Sequence, residues 1–252
     1  MSRDLVSVII ADLCEKHLPE TVENLRATAE GPIEILVKSD DESKGMRHCL
    51  NVLARQAKGK YLFKLDGHCI MSQGWDVKLK EVCKDPKDMA VCRIKEIDGQ
   101  TWTVREKGFS FVTIRPDLSI ISCGDFVDDD PDTAETMASI GCGWMIHKDR
   151  FMALEMNWED LGRYGNLGAE WALKIWLSGG RLLVNRHVTC GHLFRVQGVA
   201  GCGIKEQTVA RQILGSRFIS HKGPLQIYPL EWLPNHFMKT LVKTEVVTND
   251  NS

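Results

Sequence analysis

Lys64-Leu65-Asp66-Gly67-His68-Cys69 is the segment of this chain with the most evident capacity for chemistry. An aspartate just beyond an apolar run, with a histidine two positions later, sets a carboxylate oxygen and an imidazole nitrogen on one short turn. Gly67 lets the backbone bend between them. A divalent ion such as Mn²⁺ accepts this mixed donor set and still has room for two phosphate oxygens, where it would neutralise charge on a departing diphosphate. The same tripeptide also describes a solvated turn with an incidental histidine, so a third ligand is needed. Gly191-His192-Leu193-Phe194-Arg195 follows a late strand-like run. If that strand lies beside the central sheet, His192 reaches the sheet edge and Arg195 a bound phosphate. Otherwise His192 is a loop histidine satisfied by backbone, and Arg195 a surface charge. Glu170 falls in the first turn of a helical segment, where exposed amides favour a carboxylate. Glu159 and Asp160 compete with it for a general-base role.

These residues need elements to position them. Val6–Ile10 reads as a buried strand, and Leu18, Val22, Leu25 and Ala29 mark a helical face stopped by Gly31-Pro32. Ile33–Val37 is a second strand, Met46, Leu50, Leu53 and Ala57 a second helical face, and Tyr61–Leu65 a third strand. Strand and helix alternating in this way predict a mostly parallel sheet covered by helices. Ligands gather at the carboxyl ends of such strands, where Asp40, Asp41 and Asp66 fall. A short helix over Asp76–Cys83 and a hairpin about Asp98-Gly99 come next. The pattern then loosens into an acidic loop from Asp125 to Asp132. Ala169–Leu177 reads as a helix and Arg181–Val188 as a strand. The last sixty residues show no clear long element; Gly198–Gly203 reads as a mobile loop and the tail beyond Val246 as disordered.

With 252 residues, 43% of them hydrophobic, the chain can build its core without disulfides. A net charge of -2 provides no global field toward nucleic acid or membrane, so a nucleic-acid substrate would need a local basic groove. The apolar run near the amino terminus is too short for a signal or membrane segment, which makes a cytoplasmic setting without a membrane anchor the expectation. None of the nine cysteines forms a CxxC pair; Cys92, Cys123 and Cys190 read as reduced core thiols.

In order along the chain come Ser7–Ile10, Gly45-Met46-Arg47, Leu65–Cys69 with Gly74-Trp75, Gly141–Phe151, and Gly168–Trp176 with Gly179-Gly180 and Gly191–Arg195. On these pieces, spanning about residues 5 to 195, the chain resembles the GT-A-fold glycosyltransferases of family 2, and among them the catalytic domain of the polypeptide N-acetylgalactosaminyltransferases. The resemblance implies an α/β, Rossmann-like single domain with a mostly parallel central sheet and helices on both faces. It implies a catalytic domain over 1–195, a closing loop and acceptor-side extension over 196–246, and a tail over 247–252. Asp66, His68 and His192 take the places that hold Mn²⁺ on the sugar-nucleotide diphosphate. Arg47 takes that of an arginine on the nucleotide or phosphate, Asp40 or Asp41 that of the uracil-recognising acid, and Arg195 that of a closing-loop arginine. Gly141 and Gly143 match a segment passing close to the donor sugar. Glu170 matches a glutamate contacting the sugar or the acceptor hydroxyl. Trp144 reads either as a sugar-stacking surface or as a buried strand residue.

Ala169 and Trp171 replace a glycine and an asparagine of the family pattern, the stretch between the second strand and Gly45 is short, and neither a Golgi anchor nor a trefoil domain is present. These departures point to a compact cytosolic enzyme and leave the donor sugar open. The expected reaction is metal-dependent transfer from a nucleoside diphosphate sugar, UDP-linked, to an acceptor hydroxyl, with Glu170 or Asp160 as the base if the anomeric configuration inverts. Three acceptor classes stay open: a saccharide or small molecule, a protein Ser or Thr, and a hydroxymethylated base in DNA served by Lys205, Arg211, Arg217, His221 and Lys222. A nucleotide-sugar-binding protein without transfer activity is the non-enzymatic alternative.

Overall fold

The structure is a computed structural model describing residues 4–194 and 203–238. The unbroken apolar run near the start of the chain is buried on both faces. Along β1 (Val6–Asp12), Val6, Val8 and Ile10 enter one core while Ile9 and Ala11 enter another, as the two-residue period of a strand requires. α1 (Leu18–Thr28) returns the chain to β2 (Ile33–Ser39), parallel to β1. α2 (Met46–Gln56) leads to β3 (Tyr61–Lys64), parallel to β1 on its other side. β4 (Cys69–Met71) and α3 (Trp75–Val82) follow. β5 (Met89–Asp98) and β6 (Thr103–Phe109) form the expected hairpin, and Asp98 accepts the Gln100 and Thr101 N–H groups at 2.8 and 3.2 Å to shape its turn. β7 (Phe111–Ile114) and β8 (Ile120–Gly124) make a separate small sheet. β9 (Thr133–Glu135), β10 (Trp144–His147) and α4 (Lys148–Ala153) precede α5 (Leu167–Leu177), then β11 (Leu182–His192) and α6 (Ile204–Ile219).

The main sheet runs β2-β1-β3-β10-β5-β11-β4, with β6 on β5 and β9 on β11. β11 is parallel to β5, whereas β10 is antiparallel to both its neighbours and β4 is antiparallel to β11. The sheet is therefore mixed. Its β1-β2-β3 part is the parallel sheet that the strand–helix alternation predicts. β10 is reached from β9 through residues 136–143, with no crossover helix to make it run parallel to its neighbours. Leu25, Trp75 and Leu79 bring α1 and α3 onto one face, while Leu50, Phe151, Leu173 and Leu214 bring α2, α4, α5 and α6 onto the other.

Two readings of the C-terminal part change. β11 continues beyond Val188 to His192, so His192 is a strand residue and not a loop residue. The last sixty residues contain the sixteen-residue helix α6, held by Ala210, Leu214 and Phe218. One inward residue per four is a narrow stripe, which is why no helical face stood out in the sequence. Cys92 and Cys190 are core thiols as expected, but Cys123 is exposed on β8. Residues 198–202 and the tail lie outside the described residues. No helix among the described residues is long and apolar enough to cross a membrane.

Candidate metal centre and the buried charge cluster

The metal-type donors converge because two strand ends are paired. The Leu65 N–H donates to Ile9 O at 3.3 Å, extending the β3 ladder by one residue before the chain turns at Asp66. β4 then pairs with β11 so that Cys69 stands opposite His192. Thr21 of α1 fixes this turn from below: its hydroxyl donates to Cys69 O at 3.0 Å and accepts the Cys69 N–H at 2.9 Å. The Leu193 N–H adds a bond to His68 O at 3.2 Å. Donor atoms of Asp66, His68 and His192 consequently all lie within 4.8 Å of one another.

Several details fit a cation at this point. His192 Nε2 stands 3.2 Å from both Asp66 Oδ2 and His68 Nε2. Two imidazole nitrogens and a carboxylate oxygen facing one another at that range suit adjacent ligands of one ion, since bonds of about 2.1 Å at right angles would separate ligand atoms by about 3 Å. Glu15 accepts from His68 Nδ1 at 2.8 Å, the carboxylate–histidine arrangement that turns a ring nitrogen toward a metal. Both histidines are nearly buried. Burial opposes the charge on Asp66, but the adjacent Lys64 ammonium, with His192 and His68, holds its carboxyl far below the usual range. Lys64 is itself buried and bonded to Asp66 and to Gly141 O. Burial works against the Lys64 charge too, yet Asp66 keeps it protonated. Neither Lys64 nor Glu15 is among the donors that the Asp-x-His motif announces. A lysine within the apolar run Tyr61–Leu65 was the available signal for the first; for Glu15, in the β1–α1 connection, the sequence held none.

A second cluster gathers Arg47, Glu170 and Lys174, each with a fully buried side chain. Arg47 is ion-paired to Glu170 Oε2. Glu170 Oε1 accepts from Lys174 Nζ at 2.6 Å and from the Trp158 N–H at 2.9 Å. Lys174 lies 3.7 Å from the centre of the Trp158 ring. Burial pushes its pKa down to about 8 against the attraction of Glu170. Nε and Nη2 of Arg47 are buried without a hydrogen-bond partner among the described residues. They lie against Gly165, where an added Cβ would stand 2.8 Å from Nη2. Tyr164 bridges toward the metal-type site: its hydroxyl would be 2.7 Å from a Cβ at Gly141. Burial raises its pKa to about 12.

The remaining candidates sit apart from the three donors. Asp40 accepts the Gly45 N–H at 2.9 Å and an Arg163 N–H at 2.8 Å, closing the loop between β2 and α2. Asp41 is exposed beside it. Asp160 is ion-paired with Arg217 of α6 on the surface. Gly143 has a φ of 74°, and a Cβ there would point at Cys92 and Cys190, into the core. Trp144 is buried against Trp171, the second of its two readings. Arg195 lies outside the described residues. An open cleft of about 420 Å³ is lined in part by Phe109, Asp125 and Phe194, and the Phe194 ring is 4.5 Å from that of His192.

A mixed α/β sheet with helices on both faces and an Asp-x-His turn at its strand ends defines the class of fold. Residues 4–153 match the model of glycosyl transferase family 2, and the chain belongs to that family. It is similar to the mouse N-acetylgalactosaminyltransferase 7, with 27% identity over 77% of this chain and 32% of the relative. It is also similar to the Drosophila melanogaster polypeptide N-acetylgalactosaminyltransferase 3, with 24% identity over 56% and 23%. The chain thus spans about a third or less of the length of these relatives. A crystal structure of GalNAc-T7 with UDP, GalNAc and Mn²⁺ shares the fold at a TM-score of 0.70 and 20% identity, over 84% of this chain and 48% of the other. S. aureus TarS 1–349 in complex with UDP-GlcNAc does so at 0.59 and 14%, over 86% and 69%.

Proposed function

We propose that this chain is a metal-dependent glycosyltransferase that moves a sugar from a UDP-sugar to an acceptor hydroxyl. The convergence of Asp66, His68 and His192 at the carboxyl end of a family 2 sheet carries this reading. Asp66, His68 and His192 would hold a Mn²⁺-type ion, which when bound neutralises charge on the leaving diphosphate. Lys64 keeps Asp66 ionised, and Glu15 keeps Nε2 of His68 facing the ion. Asp40 and Asp41, at the exit of β2, would face the base of the donor. Gly143 would back the donor sugar from the core side, where an added Cβ would meet Cys92 and Cys190. Arg47 is fully buried, so its two N–H groups without a partner among the described residues would reach the donor only where the chain at Gly165 moves aside, and Glu170 holds Arg47 from within the core. Because Glu170 is fully buried and Asp160 is engaged by Arg217, neither is presented to the acceptor as a base. The mixed polar and aromatic cleft beside Phe194 suits a saccharide or small-molecule acceptor over DNA. The cysteines described as free thiols support a reducing, cytoplasmic setting. UDP-GalNAc and UDP-GlcNAc are the first donors to test, given the ligands of the similar structures.

The test is donor turnover. Metal-stripped protein is incubated with UDP-, GDP- and TDP-sugars, with and without Mn²⁺, and sugar release is followed by NMR. Mn²⁺-dependent hydrolysis of one donor, lost in His68→Ala, is the expected result. Absence of both donor and Mn²⁺ binding would reject the reading. The buried Glu170 also favours a second possibility, donor binding without transfer; binding with no turnover under any acceptor would select it.

A further inference from the structure

Behind the Asp66–His68–His192 site, three cysteines from three separate segments converge inside the core. Cys69 opens β4, Cys142 precedes β10, and Cys190 lies on β11 two residues before His192. Their exposures are 0%, 1% and 0%, and all three sulfurs lie within 4.8 Å of one another. Cys69 Sγ and Cys142 Sγ are 3.5 Å apart. The sheet register makes this convergence a property of the fold. Cys190 pairs with Met71, and Cys69 with His192, across the β4–β11 ladder. Residues 190 and 192 therefore share a face with Cys69, while Gly143 lets the neighbouring backbone approach Cys190 closely.

We propose that Cys69, Cys142 and Cys190 form a second metal site, one for a thiophilic divalent d¹⁰ cation of the Zn²⁺ or Cd²⁺ type. With metal–sulfur bonds of about 2.3 Å, three thiolates around one ion stand about 4 Å apart, within the range these sulfurs already occupy. Soft sulfur donors select such ions over Mg²⁺ or Mn²⁺, so the two neighbouring sites sort hard from soft cations by donor type. Binding displaces the thiol protons to solvent. Three thiolates with a divalent ion leave one negative charge in the core, and the Lys64 ammonium, bonded to Gly141 O next to Cys142, stands beside it. An ion here would tie the turn carrying His68 to the strand carrying His192, and so stiffen the first site.

The experiment uses the full chain, reduced and metal-free, in a Cys14→Ser, Cys123→Ser, Cys202→Ser background that removes three further thiols and leaves the buried Cys49, Cys83 and Cys92 in place. Mn²⁺ is held in excess to occupy the hard site while Cd²⁺ is titrated. A thiolate-to-cadmium charge-transfer band saturating at one equivalent is expected, kept in His192→Ala and lost in Cys142→Ser with unchanged circular dichroism. In case Cys142→Ser does not fold, X-ray absorption on the parent protein loaded with one equivalent of Zn²⁺ under the same Mn²⁺ excess decides; a shell of three sulfurs is expected. No band, a band surviving in folded Cys142→Ser, or a zinc shell with fewer than three sulfurs would overturn the proposal.

Discussion

At the scale of single residues, the first site depends on groups that never touch a ligand. Glu15 fixes the imidazole of His68 through a 2.8 Å hydrogen bond, and outer partners of this kind typically account for 10–100-fold in metal affinity. Glu15→Gln is therefore expected to weaken Mn²⁺ binding about 10–100-fold, measured by calorimetry, with little change in thermal midpoint. Glu170 presents the opposite case, since its two oxygens are committed to Arg47, Lys174 and the Trp158 N–H. Removing one partner of a buried ion pair costs about 3–5 kcal/mol. Glu170→Ala should lose stability on that order in urea unfolding. The milder Glu170→Gln should raise the donor dissociation constant through Arg47 while leaving the pH profile of turnover in place. A lost limb in that profile would instead make Glu170 the base.

At the scale of elements, the exit of β2 shows how a loop is held at a ligand-bearing edge. Gly45 begins α2 with φ at 90°, and a Cβ there would stand 2.5 Å from Arg163 Cα. Asp40 closes the same loop. Burial raises the pKa of Asp40, but Arg163 and the Gly45 N–H outweigh it and hold the carboxyl below its ordinary value. A carboxylate with a depressed native pKa stabilises the fold above its unfolded value of about 3.9 and loses that contribution as pH falls through the native one. Asp40→Asn should therefore be less stable than wild type at neutral pH and lose less stability on acidification below about pH 4. Thermal midpoints across that range measure both effects.

At the scale of the whole molecule, the question is whether the C-terminal segment is an extension or part of the core. Ala210, Leu214 and Phe218 of α6, with Leu233 beyond it, bury in the same cluster as Trp144, Trp171 and Leu173. Phe218→Ala is accordingly expected to cost about 3–5 kcal/mol and to shift a single cooperative unfolding transition. An unchanged main transition would instead make the C-terminal segment an independent unit, in keeping with a division of the chain near residue 195.

Much of this was readable in the sequence because it depends on local pattern. The apolar runs of β1 and β3, the helical faces of α1 and α2, and the Asp66-Gly67-His68 turn each declare themselves within a few residues. What the sequence could not determine depends on pairing between distant segments. Nothing near His192 says that it is a strand residue opposite Cys69, and nothing near Glu15 says that its carboxylate meets His68. The antiparallel insertion of β10 between β3 and β5 is a pairing of distant segments that no local propensity dictates. Glu170 shows the limit most clearly. Its place in the first turn of a helix favours a carboxylate and the family resemblance implies contact with sugar or acceptor, but whether a charge faces solvent or a buried arginine is set by what packs over it, and only the tertiary structure supplies that.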